Sequence, residues 1–270
     1  MDRKAMAQET LEIMRRGYYT VPQGRISIKE DMERSIQGSL LITPAEGEKI
    51  LEACKGGTGA KPEVRVENIS TVEAVRTLAA EGKTGIGVLN FASAKNPGGG
   101  FLNGANAQEE SLAVSSTLYP TLTANEEYYT ENRAHRSMMY LDYAIYSPGV
   151  VFFRDGAFAL TSTPVRADVL TLPAVNMGQV RQKGEDPAEA RRVMRRRMQL
   201  ALAIFARQGA RHLVLGAFGC GVFRNDPRDI AAWWRELLED MGPHFASVLH
   251  AVYDRSFDQR CIRAFTEGGR

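Results

Sequence analysis

The chain has few cysteines, few histidines, no long apolar run and almost no net charge, and each shortage excludes something. Its three cysteines, Cys54, Cys220 and Cys261, are far apart and free of any CxxC or Cys/His pairing. A disulfide framework and a zinc site are therefore not expected, no metal is called for, and a reducing cytoplasm is the expected compartment. No run of about 18 apolar residues occurs, so no segment is expected to span a bilayer. The opening MDRKAMAQETLEIM has no apolar core of a secretory signal. Lys and Arg number 34 against 32 Asp and Glu, leaving +2, so bulk charge will not capture nucleic acid or an acidic membrane. The glycine-rich stretches lack both the Gly-Lys-Ser/Thr of a P-loop and the GxGxxG spacing, which argues against a dinucleotide-dependent oxidoreductase.

What is present is a globular composition, 44% apolar and 24% charged over 270 residues, a length for one large domain with an appendage. Residues 1–58 read as an accessory extension. It holds a helix at Ala5–Arg16, an extended stretch at Arg25–Ile28 and a helix at Pro44–Cys54, and Lys55-Gly56-Gly57-Thr58-Gly59 ends it. From 59 to 270 short apolar strands alternate with helices: Val64–Asn68, Gly85–Phe91, Tyr140–Tyr146 and Val150–Phe153 about a Ser147-Pro148-Gly149 turn, Val169–Leu172, His212–Phe218 and Val248–Tyr253. That rhythm predicts an α/β fold with a mostly parallel sheet covered by helices on both faces. Ser70 and Glu73 form a capping box, and Asp186-Pro187 and Asp226-Pro227 each open a helix.

Charge is uneven. Between Arg181 and Arg211 lie nine basic and three acidic residues. In the helix predicted over 187–208, Ala190, Met194, Met198, Ala201 and Phe205 form one stripe. Arg192 and Arg196 fall opposite it, with Arg191, Arg195 and Arg197 on the flanks. This basic face is either a solvated cover or a docking strip for a polyanion; no aromatic residues interleave to make a stacking platform.

The most informative stretch begins at Asn90-Phe91-Ala92 and runs to Gly98-Gly99-Gly100. Seven residues later comes Gln108-Glu109-Glu110, opening a helix to about Leu118. Successive residues without Cβ let a backbone approach a ligand and turn N–H groups toward an anion. Carboxylates in a first turn complement the helix dipole, which is reason enough for their presence. Adjacent helical residues point about 100° apart, so Glu109 and Glu110 cannot face each other as a glycosidase pair. They can divide two jobs, one holding sugar hydroxyls while the other reaches the reacting bond. A second glycine-rich turn, Gly219-Cys220-Gly221-Val222-Phe223, leads from a strand into the Asp226 helix and is suited to a diphosphate. Cys220 fits there as a small residue serving backbone geometry better than as a nucleophile, since no histidine lies near it in sequence.

The triple glycine, the Gln-Glu-Glu turn and the second loop together resemble the poly(ADP-ribose) glycohydrolases of the short bacterial type. The resemblance spans most of the chain, including an N-terminal extension. It implies a macrodomain-like three-layer α/β/α fold with a mixed, largely parallel sheet and ADP-ribose along its crest. It also implies residue roles. Glu110 matches the family's catalytic acid, Glu109 the carboxylate that positions ribose hydroxyls, and Gln108 the support of that turn. Asn90 and Gly98 to Gly100 match the loop beside the distal ribose and diphosphate, Gly219, Cys220, Gly221 and Val222 the diphosphate loop, and Phe223 the aromatic packed on that ribose. Asn68 stands where many macrodomains place an adenine-contacting Asp, and Tyr253 is a candidate for stacking on adenine.

The reaction implied is hydrolysis of the ribose–ribose O-glycosidic bonds of poly(ADP-ribose), without cofactor. Glu110 would serve as general acid and then general base around an oxocarbenium-like transition state. ADP-ribosylated protein is the implied macromolecular target, with no membrane and no sequence-specific nucleic acid as partner. Two other readings share the crest: a macrodomain that binds ADP-ribose without cleaving it, and a hydrolase of single ADP-ribose modifications. A pure reader has no use for Gln108-Glu109-Glu110.

Overall fold

A computed structural model describes residues 2–54, 56–57 and 59–267. The order is α1 (Arg3–Arg16), β1 (Tyr18–Val21), β2 (Gly24–Ser27), α2 (Lys29–Gln37), β3 (Leu40–Ile42), α3 (Pro44–Ala53), β4 (Glu63–Glu67), α4 (Thr71–Ala80) and β5 (Ile86–Ala92). After a 3₁₀ turn at Phe101–Asn103 come α5 (Gln108–Ser115), α6 (Leu118–Thr123), α7 (Glu126–Ala134), β6 (Ala144–Arg154), β7 (Leu160–Pro173) and α8 (Met177–Gln182). The chain continues through α9 (Pro187–Arg207), β8 (His212–Leu215), α10 (Pro227–Met241), β9 (Ser247–Ala251) and α11 (Arg260–Glu267).

Seven strands form one sheet in the order β3-β6-β7-β5-β8-β9-β4. The five from β7 to β4 run parallel, while β6 is antiparallel to both β7 and β3. Strand alternation sorts the core into two faces. Leu89, Leu170, Leu213 and Val248 pack with α9 and α10, and their neighbours Val88, Val169, Val214 and Leu249 pack with α4 to α7. The expected three-layer, largely parallel architecture is what the chain adopts. Among the described residues no helix is long and apolar enough to cross a membrane.

The N-terminal extension is built into this frame. β3 is an edge strand of the main sheet, and Ile42 and Ile50 lie in its core. Met6 and Ala7 of α1 pack on Phe101, Ala113 and Val114, behind the helix that starts with Gln108-Glu109-Glu110. Lys55 and Thr58 of the predicted break lie outside the described residues.

Three local expectations are corrected. Ser147-Pro148-Gly149 is not a turn between two strands but an irregularity inside one long strand, β6. Asp168 opposite it absorbs the extra backbone, accepting from Gly149 N at 2.8 Å and Tyr146 Oη at 2.6 Å. The strand does not start at Tyr140, whose φ of 58° turns the chain and aims its carbonyl at Arg197. The helix from Gln108 stops at Ser115 because Ser116 is extended and pairs with Phe152.

The basic helix is not a strip of free cations. Arg191 pairs with Asp229, Arg192 with Glu189, Arg195 with Glu236, and Arg196 with Glu48 and Asp142. Arg197, expected on the flank, is fully buried. Asp142 meets it at 2.7 Å and the carbonyls of Met139, Pro173 and Tyr140 take its remaining donors. A buried guanidinium is tolerable only with such a set of partners.

Candidate active site

A cleft of about 1130 Å³ opens at the carboxyl ends of the parallel strands, between the loops after β5, β8 and β9. Open α/β sheets bind ligands where strand order reverses about a central strand. Here β5 is that strand, with β7 on one side and β8 on the other.

β8 pairs with β5 only as far as Val88. Beyond that point the side chain of Gln108 takes over as a substitute strand. Its Oε1 accepts from Phe91 N at 2.8 Å and its Nε2 donates to Leu89 O at 2.8 Å. A second, longer bond from Nε2 reaches Thr71 Oγ1 at 3.3 Å. The first turn of α5 is thus clamped to the end of β5, and the two glutamates are delivered to the cleft floor.

Glu109 is 3% exposed. Its Oε2 accepts from Ser93 N at 2.7 Å and its Oε1 from Asn90 Nδ2 at 3.3 Å, with Gly98 N adding a backbone donor. Burial dominates these bonds and, with the nearby Glu110 charge, pushes its carboxyl from 4.5 up to about 8. Asn90 is itself buried and also donates to Thr171 Oγ1 at 3.1 Å, while its Oδ1 has no partner. Glu110 sits higher in the cleft. Its Oε1 accepts from Gly100 N at 2.9 Å and its Oε2 from Ala107 N at 3.0 Å.

The triple glycine therefore does something other than expected. Its amides are taken by groups of the protein: Gly98 by Glu109, Gly99 by Asn96 O at 2.9 Å, and Gly100 by Glu110. The groups it cradles are the carboxyls of the two glutamates. Gly98 and Gly99 have φ of 68° and 61°, and a Cβ on Gly99 would collide with the Glu110 carboxylate.

The loop after β8 behaves in the opposite way. Among the described residues the amides of Gly221, Val222 and Phe223 donate to no protein acceptor, leaving N–H groups available to an anion. The loop is held from below. Asn225 Nδ2 donates to Val175 O at 2.8 Å and Gly219 O at 3.0 Å, and Trp234 Nε1 to Gly216 O at 3.0 Å. Gly219 has φ of 73° with no room for a Cβ, which would lie 2.6 Å from Ala174 Cβ. Cys220 is buried and its thiol is pushed well above the usual range by burial, which suits a structural residue. Val222 is 80% exposed at the rim, and Phe223 packs near Tyr140.

Gln108, Glu109, Glu110, Gly99, Gly100 and Gly219 to Phe223 thus line one cleft. Asn90 and Gly98 lie beneath it as supports of Glu109. Asn68 is not among the lining residues. Its side chain is paired with the backbone of Asp254, donating to the carbonyl at 2.9 Å and accepting from the amide at 2.9 Å. Tyr253 is on the rim and half exposed, with Arg255 stacked over its ring.

The sequence reading missed Ser93 and Thr71, whose contributions are long-range contacts. It also missed Arg3, Tyr119 and Phe158 on the rim. A signal for Phe158 existed, since Asp155-Gly156 after an apolar run marks a hairpin turn. Among the described residues, no group of His, Cys, Asp and Glu side chains is placed to hold a metal ion.

Comparisons with known proteins all point to one family. The family model for the microbial-type PARG catalytic domain, PARG being poly(ADP-ribose) glycohydrolase, matches residues 7–155. No curated protein matches the chain. The crystal structure of poly(ADP-ribose) glycohydrolase from Thermomonospora curvata is 41% identical with a TM-score of 0.92, each chain covered over 98%. The same enzyme bound to the inhibitor ADP-HPD is 40% identical, with a TM-score of 0.92 and 98% of each chain covered. Poly(ADP-ribose) glycohydrolase from Deinococcus radiodurans in complex with ADP-ribose is 42% identical with a TM-score of 0.83, over 87% of this chain and 96% of that one. With the glycine cradle, the paired glutamates and the open amide loop on one crest, and with this likeness over nearly its whole length, the chain belongs to the microbial-type poly(ADP-ribose) glycohydrolase family.

Proposed function

We propose that this chain hydrolyses the ribose–ribose O-glycosidic bonds of poly(ADP-ribose), with Glu110 as general acid and base and Glu109 as the holder of the ribose hydroxyls. The observation that carries the proposal is the first turn of α5, which sets two differently solvated carboxyls on a cleft floor opposite free amides.

The diphosphate lies on the amides of Gly221, Val222 and Phe223, which supply partial positive charge. That placement sets the distal ribose over β5. Glu109, its carboxyl held above the ordinary range by burial, carries a proton at neutral pH and can both donate to and accept from a ribose hydroxyl. Glu110 gives its proton to the departing ribose oxygen as the C1″–O bond breaks. The oxocarbenium ion is then attacked by water, whose proton returns to Glu110.

ADP-ribosylated protein is the macromolecular target in this reading, and the cytoplasm is the compartment, on the strength of three widely spaced cysteines. Residues 1–58 act as an accessory buttress, since α1 backs the residues that carry the glutamates.

The deciding experiment incubates the purified chain with polymer and with singly modified protein, and resolves the products. Release of ADP-ribose from polymer is expected. Cleavage of the single modification alone would make it a mono-ADP-ribosyl hydrolase, and binding without cleavage a reader.

A further inference from the structure

The long β6–β7 hairpin does more than complete the sheet. β5 pairs with β7 only over Asp168–Pro173. The remaining arm continues as a β6–β7 ribbon beyond β5, where Arg76 of α4 donates to Thr163 O at 3.3 Å and Phe152 bridges Ser116. Its tip, Gly156–Phe158, ends on the rim of the cleft.

That tip is unusually constrained. Asp155 Oδ1 accepts from the amides of Ala157 and Ala159, both at 2.9 Å. Arg154, 3% exposed, donates to Phe158 O at 3.0 Å, Val114 O at 3.2 Å and Glu9 at 2.6 Å, tying the tip to α5 and α1. Phe158 itself has φ of 68°, a left-handed conformation that an aromatic residue adopts only under strain. A glycine would relieve that strain. The ring it carries packs partly on the Met6–Phe101 cluster and partly faces the cleft, with the Arg3 guanidinium 4.8 Å above it. Among the described residues Arg3 has no carboxylate partner, unlike Arg191, Arg192, Arg195, Arg196 and Arg197 of α9.

The same device occurs elsewhere on this rim, where Arg255 lies 4.8 Å over the ring of Tyr253. The cleft thus presents two arginine–aromatic stacks on unconnected elements, one after β9 and one shared by α1 and the hairpin tip. A single ADP-ribose carries one adenine and can occupy only one of them. A polymer presents two, one on each side of the bond to be cut.

Resting on the proposed glycohydrolase reading, we infer that Arg3 and Phe158 form a subsite for the adenosine diphosphate of a second polymer unit, the one joined through the scissile bond. The Phe158 ring and the Arg3 guanidinium plane receive the adenine, and the Arg3 charge receives the phosphates. The test compares wild type, Phe158→Gly and Arg3→Ala in two measurements: the affinity for ADP-ribose, and KM and kcat for polymer.

Each variant should raise the polymer KM about tenfold. The ADP-ribose affinity should stay within about twofold, and the Arg3 effect should shrink with added salt. Phe158→Gly removes backbone strain, and its melting temperature read alongside separates lost packing from lost binding. An unchanged polymer KM in both variants overturns the inference, and so does a parallel loss of ADP-ribose affinity, which would place the pair in the first unit's own site. A wild-type chain that binds neither ADP-ribose nor polymer would overturn the glycohydrolase reading itself, and the subsite with it.

Discussion

Two glycine-rich loops leave adjacent strands at the same end of the sheet, yet their amides do opposite work. The loop after β5 spends its N–H groups on Glu109, Glu110 and Asn96. Among the described residues, those of Gly221, Val222 and Phe223 in the loop after β8 donate to no protein acceptor. Glycine content alone does not tell a cradle for carboxyls from a loop of unpaired amides. What separates them is whether the protein supplies its own acceptors. In the first loop α5 supplies two carboxyls, because Gln108 clamps its first turn against β5.

The widest separation between the loops should come from Glu110→Gln. The amide keeps the shape of the cradle but cannot cycle a proton, so kcat on polymer should fall about a thousandfold or more. ADP-ribose affinity, measured by calorimetry, should change little, because the second loop is untouched. Near-normal turnover in this variant would remove Glu110 from the catalytic role.

Glycine substitutions should split in the same way. Gly99→Ala pushes a methyl group into the Glu110 carboxylate at a φ of 61°, and should cut kcat about a hundredfold with little change in affinity. Gly219→Ala forces a Cβ to 2.6 Å from Ala174 and from Asn225. It should instead weaken ADP-ribose binding about tenfold or more by displacing the loop amides.

Buried Glu109 gives the first loop a pH signature that the second loop lacks. Its carboxyl rises from 4.5 in the open chain to about 8 in the fold. The folded state therefore holds this proton where the unfolded chain has released it, and stability falls as pH climbs between those two values. Glu109→Gln removes the penalty. Denaturation should find the variant level with wild type near pH 4 and more stable by about 4 kcal/mol at pH 8, at the cost of activity.

The smallest effect belongs to α9. Because its arginines are paired with carboxylates, Arg192→Ala with Arg195→Ala should alter the polymer KM by less than about twofold. A larger, salt-sensitive rise would restore that helix as a polymer guide.

Sequence alone reached the local features. The stripe Ala190, Met194, Met198, Ala201 and Phe205 is buried throughout, and the Ser70–Glu73 capping box forms as spelled. Gln108-Glu109-Glu110 opens a helix because a first turn accepts acidic residues and the glycines before it cannot continue a strand. Such features depend on neighbours within a few positions, so spacing exposes them. The family resemblance added roles to residues whose types were already suggestive.

Tertiary structure decided the rest, through contacts between residues far apart in sequence. That Asn68 is committed to Asp254, that Arg197 lies in the core against Asp142, and that the glycine amides face glutamates are all products of chain crossings no local pattern encodes. The same holds for Phe158, carried to the rim by a strand running through Ser147-Pro148-Gly149 where the local residues spell a turn. Periodicity and capping chemistry act over one or two turns and can be read from the chain. Desolvation and partner choice depend on what the fold brings alongside, and these set the protonation of Glu109 and the division of labour between the two loops.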